Sequence, residues 1–235
     1  YPEDSPLRSG TIDVKYMTAK EEDILTSQNL IEQGVVITRL IESVIADPKV
    51  KLDDMLIGDK NAIMVGTRIL GYGKDYAIEL TDPDTNERVE YVVDLSKLQN
   101  KSIDEKLFEN GNNFTLELPN SKRVIGFKLL THKDEKQIEE TLKDYEKAEK
   151  LTGVSYSLTT RLKHQIVSID GNTDQKQIDD FVDNEFLALD TRAFRKYLDK
   201  VTPDIELKFD YTSQTGNLHK IDVPLGIDFF WPAAE

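Results

Sequence analysis

Apolar and polar positions change period several times along the chain, and each change predicts an element. Ile12, Val14 and Tyr16 alternate with polar neighbours and predict a short strand. Thr18 and Glu21 then have the spacing of a capping box, which predicts a helix reaching about Leu30 and broken by Gly34. Ile37, Leu40, Ile41, Val44 and Ile45 share one face of a second helix, stopped by Asp47-Pro48. Asp59 is placed to cap a third helix through Leu70. The apolar residues Ile63, Met64, Val65, Ile69 and Leu70 nearly surround that helix, so it is expected to be buried. Gly71 and Gly73 end it.

Alternation then takes over. Tyr76, Ile78 and Leu80, a turn at 82–86, and Val89, Tyr91, Val93 and Leu95 predict a hairpin. Residues 114–118 and 124–130 predict a second strand pair around Pro119-Asn120. The longest helix is expected from Thr131 to about Leu151, with a narrow apolar stripe of Ile138, Leu142, Tyr145 and Ala148. The rest of that helix is charged, with Glu139 and Glu146 four residues before Lys143 and Lys150. Two readings suit it: a solvated helix resting one edge on the body, or a stripe that docks on a partner. The stripe lasts only about two heptads, too short to demand a coiled coil. Leu158, Leu162, Ile166 and Ile169 suit a helix or a strand equally, Asp170-Gly171 turns the chain, and Thr173 is placed to cap a helix through Phe186.

In the last fifty residues Asp190 is placed to cap a helix carrying Phe194, Tyr197, Leu198 and Val201 on one face, closed by Pro203. Ile205, Leu207, Phe209 and Tyr211 alternate as a strand, a polar turn follows at 212–217, and alternation resumes from Ile221 to Ile227. The chain ends on Phe229-Phe230-Trp231-Pro232. The expected class is α+β: a helical N-terminal part with small antiparallel hairpins, a long surface helix, and a C-terminal helix plus β-hairpin module. The expected divisions are an N-terminal α+β domain at 1–130, a helical connecting region at 131–186 and the helix-hairpin module at 187–235.

Composition narrows the function more than the fold. A length of 235 residues suffices for one large domain or two small ones, and no apolar run approaches a membrane span. The acidic start, Tyr1-Pro-Glu-Asp4, does not resemble a signal peptide, and the missing initiator Met suggests a trimmed chain. The net charge of −14 repels phosphate backbones, so nucleic acid is not an expected partner. Cysteine is absent, which removes disulfides and thiolate metal sites.

Candidate chemistry is sparse. His132, His164 and His219 lie far apart in sequence with no hydrolase-like motif near them, and are expected as surface or helix-end residues. Gly66, Gly71 and Gly73 lack the Lys-Ser/Thr partner of a phosphate loop. Asp82, Asp84 and Asn86, and again Asp170, Asn172 and Asp174, open like calcium loops but lack the turn glycine and the closing glutamate. They are read as turns in which the side chain bonds its own backbone. No catalytic residue, metal or cofactor is expected.

Asp190-Thr-Arg-Ala-Phe-Arg-Lys-Tyr-Leu198, Thr202-Pro-Asp-Ile205, the following hairpin and Phe229-Phe-Trp-Pro232 together resemble the baseplate hub assembly chaperones of T4-like contractile-tailed bacteriophages. Thr18-Ala-Lys-Glu-Glu22, Gly58-Asp-Lys-Asn-Ala62, Arg68-Ile-Leu-Gly-Tyr72 and Ile169-Asp-Gly171 agree in order, so the resemblance runs over most of the chain. It implies a non-enzymatic protein that binds hub or tail components in the host cytoplasm and assists baseplate assembly, or else a permanent subunit of the virion hub. Relatives often carry Cys-x-x-Cys zinc knuckles at the hairpin tips, where this chain has Asp82-Pro-Asp-Thr85 and Thr212-Ser-Gln-Thr215. The resemblance therefore implies no zinc here, and tips closed by turn chemistry and packing. The terminal aromatics have two readings, a plug that completes the core or an exposed anchor. Phe229, Phe230 and Trp231 are the expected partner contacts under the second, with Ile138, Leu142 and Tyr145 next.

Overall fold

Free amide groups at helix starts need acceptors, and at Thr131 and Asp174 a side chain supplies one. The computed structural model describes residues 1–225 and 227–230. In chain order its helices and strands are α1 (Ala19–Thr26), α2 (Gln28–Glu32), α3 (Val36–Val44), α4 (Ile57–Tyr72), β1 (Asp75–Thr81), β2 (Arg88–Asp94), β3 (Phe114–Glu117), β4 (Val124–Phe127), α5 (His132–Thr152), α6 (Ser157–Gln165), β5 (Ile166–Ile169), α7 (Gln175–Asp180), α8 (Ala188–Val201), β6 (Lys208–Thr212) and β7 (Leu218–Asp222). The class is α+β, as the pattern predicts.

Two units emerge, neither continuous in sequence. The first gathers Tyr1–Ser9, Asp53–Ile57 and Ser102–Pro203; the second gathers Gly10–Leu52, Gly58–Lys101 and Asp204–Glu235. These boundaries differ from the linear divisions expected at 130 and 186. Helix α8 joins the first unit and the β6–β7 hairpin the second, because an apolar face is placed by the face it fits rather than by its neighbour in sequence.

In the first unit β3, β4 and β5 form an antiparallel sheet with β4 at its centre. Its inner face carries Phe114, Ile125, Phe127, Ile166 and Ile169, packed with Leu162, Ile178, Phe181, Phe194 and Val201. Phe127 is the hub of this core, stacked on Phe114 at 5.2 Å and meeting Phe194 edge-on at 5.0 Å. The ambiguous stretch resolves by face: Leu162 is buried on α6, and the chain then straightens so that Ile166 and Ile169 enter the sheet. At Gly126 the β4–β5 register shifts, and a side chain there would collide with Ser168.

Three capping expectations are corrected: α4 starts at Ile57, so Asp59 lies inside its first turn and does not cap it, and the other two lie in the first unit. Asp174, not Thr173, caps α7, its carboxylate accepting from the Lys176 amide, and α7 widens into a π-turn at Phe181–Glu185. Helix α8 starts at Ala188, so Asp190 lies inside its first turn and is fully buried. Its carboxylate instead accepts from the Asn120 amide at 2.8 Å and the Ser121 amide at 2.9 Å, fastening the β3–β4 turn. Burial pushes the Asp190 carboxyl up, but these bonds to its charged form hold it below the usual carboxylate range.

In the second unit α1 and α3 pair through Leu25, Leu40, Ile41 and Val44, all sealed from solvent. The expected capping box is present: the Glu21 carboxylate accepts from the Thr18 amide and hydroxyl at 2.9 and 2.7 Å, and from the Ser43 hydroxyl at 2.5 Å. Those bonds, the one from Ser43 foremost, lower the Glu21 carboxyl to about 2. The strand expected at 12–16 is reduced to a bridge between Val14 and Ile45, flanked by the bonds from Lys15 N to Val44 O and from Ala46 N to Asp13 O, beyond which the pairing does not continue. The predicted first helix is interrupted at Ser27 and resumes as α2. Six of the sixteen residues of α4 are buried, Ile63, Met64 and Val65 among them, and most of the others are half-buried, so the helix is less enclosed than its all-round apolar pattern predicts, and Leu70 is exposed.

Two hairpins complete this unit, β1–β2 and β6–β7, each a two-stranded sheet. The inward face of β1 is Tyr76, Ile78 and Leu80, alternating with exposed positions. The last described turn, Ile227–Phe230, brings Phe229 edge-on against Tyr76 at 5.0 Å. Arg68 of α4 is sealed there, donating to the carbonyls of Phe229, Gly73 and Asp75. Its guanidinium also lies over the rings of Tyr72 and Tyr76.

Candidate functional site

The hairpin tips of the second unit are joined by two carboxylates. Asp82 turns β1 into β2 by accepting from the amides of Asp84 and Thr85 through Oδ1, the backbone-bonding turn expected of it. Its Oδ2 accepts from the Tyr211 hydroxyl at 2.7 Å and the Gln214 amide at 2.9 Å, both from the β6–β7 hairpin. Asp84 adds a second tie, accepting from the Ser213 hydroxyl at 2.5 Å, the Asn217 side-chain Nδ2 at 2.9 Å and the Thr215 hydroxyl, with His219 Nε2 at 3.1 Å. Asp82 is fully buried. That burial pushes its carboxyl up, but the Gln214, Tyr211, Thr85 and Asp84 donors outweigh it and hold the group at about 2. Tyr211 is pushed up to about 12, because its hydroxyl hydrogen is held by Asp82 and its ring is buried. Asp84 is likewise lowered, chiefly by the Ser213 and Thr215 hydroxyls. Sequence reasoning identified both turns but not their union; the only available signal was the matching run of carboxylates at one tip and hydroxyls at the other.

From the tips the hairpins run down to a groove of about 500 Å³, lined by residues of β2, β6 and the 97–99 segment. Tyr91 stacks on Phe209 at 5.2 Å and meets Tyr211 edge-on. Ladder alternation determines which main-chain groups face this groove. The bonds Asp82 N to Glu87 O and Leu95 N to Lys74 O mean that Val92 and Asp94 of β2 turn their peptide groups away from β1. The bonds Ser213 N to Asn217 O and Val223 N to Leu207 O mean that Lys208 and Asp210 turn theirs away from β7. All four residues line the groove. At its lower end a short ladder has started: Asn100 bridges Ile205, with Glu206 N on Gln99 O and Lys101 N on Asp204 O, both at 2.8 Å. It stops where residues 95–97 wind into a 3-10 turn.

The first unit has a second concavity of about 510 Å³, lined by Lys128, Asp134, Tyr145, Thr160, Lys163 and His164 among others. Lys128 and Lys163 are both engaged, with Asp134 at 2.7 Å and Asp183 at 2.7 Å. Tyr145 is partly exposed and lies 4.9 Å from the Tyr156 ring. Leu151, Val154 and Leu158 are exposed at the end of α5 and in the stretch that follows.

The expected contact residues separate in this structure. Phe229 and Phe230 are fully buried, which is the plug arrangement, so neither is displayed as an exposed anchor. Burying such a ring contributes about 1.5–3 kcal/mol, which favours this arrangement. Trp231 lies outside the described residues. Ile138 is also sealed, holding α5 to its own unit, while Leu142 is half-buried and Tyr145 reaches solvent. The helix thus rests one edge on the body, and its Glu146–Lys150 pair is formed at 3.9 Å. His132 stands at a helix end, as the first residue of α5, and is buried there because the 55–56 segment covers the start of α5 through the Leu56–Thr131 bridge and the bond from His132 N to Met55 O. Among the described residues no three His, Asp or Glu side chains are grouped to hold a metal ion, and no helix is long and apolar enough to cross a membrane.

Compared with models of known families, residues 3–231 match the one described as T4 bacteriophage base plate protein. Comparison with the curated proteins and with the solved structures found no significant match.

Proposed function

The chain belongs to the T4 bacteriophage base plate protein family, and from that premise we propose that it is a non-enzymatic assembly factor of the baseplate hub. It binds hub or tail components and covers their association-prone surfaces until the next partner displaces it. The family match across nearly the whole chain carries this reading. Two features support it: strand edges of the second unit that take no further strand among the described residues and face a groove, and the exposed Tyr145 beside the half-buried Leu142 on α5. An unpaired strand edge recognises other chains through backbone bonds and needs no reacting group. The acidic charge of the chain keeps such complexes soluble and away from the host's nucleic acids.

Quantitative mass spectrometry of purified virions tests the assignment. An assembly factor is absent or far below one copy per hub subunit, whereas hub or tail proteins co-purify with it from cells expressing the neighbouring tail genes. Stoichiometric recovery in mature particles would instead make it a permanent subunit of the baseplate.

A further inference from the structure

We propose that the groove between β2 and β6 receives an extended segment of a baseplate partner, which pairs with the outer edge of β6 as an added antiparallel strand. The proposal rests on the baseplate reading and names the surface that would serve it. The chain itself begins the required ladder, with residues 99–101 paired to 204–206. In that register the next positions on β6 are Lys208 and Asp210. The chain's own candidate partners for them have turned away into the 95–97 helix. Their outward peptide groups therefore face a groove with room for a few extended residues. The Asp210 carbonyl meets the Tyr91 hydroxyl only at a long 3.4 Å, a contact that an incoming amide would replace with a shorter one.

Side chains define the kind of segment. Alternation places Tyr91, Val93 and Phe209 on the inward face and Val92, Lys208, Asp210 and Lys220 on the outward face. A fitting strand presents an apolar residue to the stacked Tyr91–Phe209 pair and polar residues to the rim. Charge does not oppose it: Asp94, Glu206 and Asp210 are balanced by Lys97, Lys208 and Lys220 in a chain whose net charge is −14. The tie between the hairpin tips holds the upper end of the groove in place, so little ordering remains for the partner to bring about.

The test uses the full-length protein and overlapping ten-residue synthetic peptides covering the hub and tail proteins of the same phage. At least one peptide should bind and slow hydrogen–deuterium exchange of the Lys208 and Asp210 amides tenfold or more. Lys208→Pro removes an outward donor at an edge position, where proline is tolerated, and should weaken that peptide at least tenfold while the circular dichroism of the protein is unchanged. Should this variant not fold, methylating the peptide nitrogens one at a time against the wild-type protein asks the same question, with one position expected to abolish binding. Protection confined to other segments, or binding indifferent to both changes, would overturn the proposal. So would equal capture of co-expressed hub and tail proteins by wild type and Lys208→Pro, or a self-dimer lost in Lys208→Pro, which would make the edge a contact between copies. Failure of the baseplate reading looks different: wild type then captures no hub or tail protein at all.

Discussion

The three-stranded sheet of the first unit and the two hairpins of the second solve one problem in opposite ways. In the first, β4 is paired on both sides and its inner face meets a continuous aromatic core around Phe127. In the second, each hairpin stops at two strands, and side chains join them: Asp82 and Asp84 tie the tips, and Tyr91 stacks on Phe209. A backbone ladder uses up the edges it joins. A side-chain tie leaves them free, and free edges are what a binding protein can use.

The contrast predicts where each unit breaks. Removing residues 226–235 takes Phe229 and Phe230 from the second unit and should cost about 3–6 kcal/mol, seen as a lowered urea midpoint or an insoluble product. A soluble truncation with unchanged stability would show that the tail is not part of the core. In the first unit Phe127→Ala leaves a void between Phe114 and Phe194 and should cost about 3–5 kcal/mol, lost as one cooperative transition.

The tip tie should show its own pH signature. The Asp82 carboxyl is lowered from 3.8 to about 2 in the fold, so between those values the unfolded chain binds more protons. The stabilisation is present above about pH 4 and is lost as the pH falls through 2. Urea melts at pH 3 and pH 6 should therefore differ less in Asp82→Asn than in wild type, with Asp82→Asn less stable at pH 6. The smallest effect is expected at Gly126→Ala, about 1 kcal/mol, because the Ser168 hydroxyl can rotate away from the new methyl group. A loss several times larger would mean that the β4–β5 bulge itself depends on the glycine.

Much of this was legible from spacing alone. The Thr18–Glu21 box, the amphipathic α3, both hairpins of the second unit and the long α5 follow from local propensity and period, which act within a few residues. Capping residues misled where a carboxylate found a distant partner: Asp190 has the look of a helix start but serves the Asn120–Ser121 turn. Alternation likewise overstated 12–16, since a strand needs a ladder and the pairing with 44–46 ends after the single bridge at Val14. For the candidate site, the sequence marked the tips as turns and Phe209 and Tyr91 as inward-facing, but it left open whether the final aromatics were a plug or an anchor.

Local order along this chain was therefore written in its residues: where helices begin, which faces are apolar, and that the class is α+β. Tertiary structure decided everything that depended on two distant stretches meeting, namely the sorting of α8 and the β6–β7 hairpin into different units, the union of Asp82 with Tyr211 and Gln214, and the burial of Phe229 beside Arg68. The physical reason is range. Periodicity and capping report energies between near neighbours, whereas burial and carboxylate pairing depend on which surfaces find each other once the chain has folded back on itself.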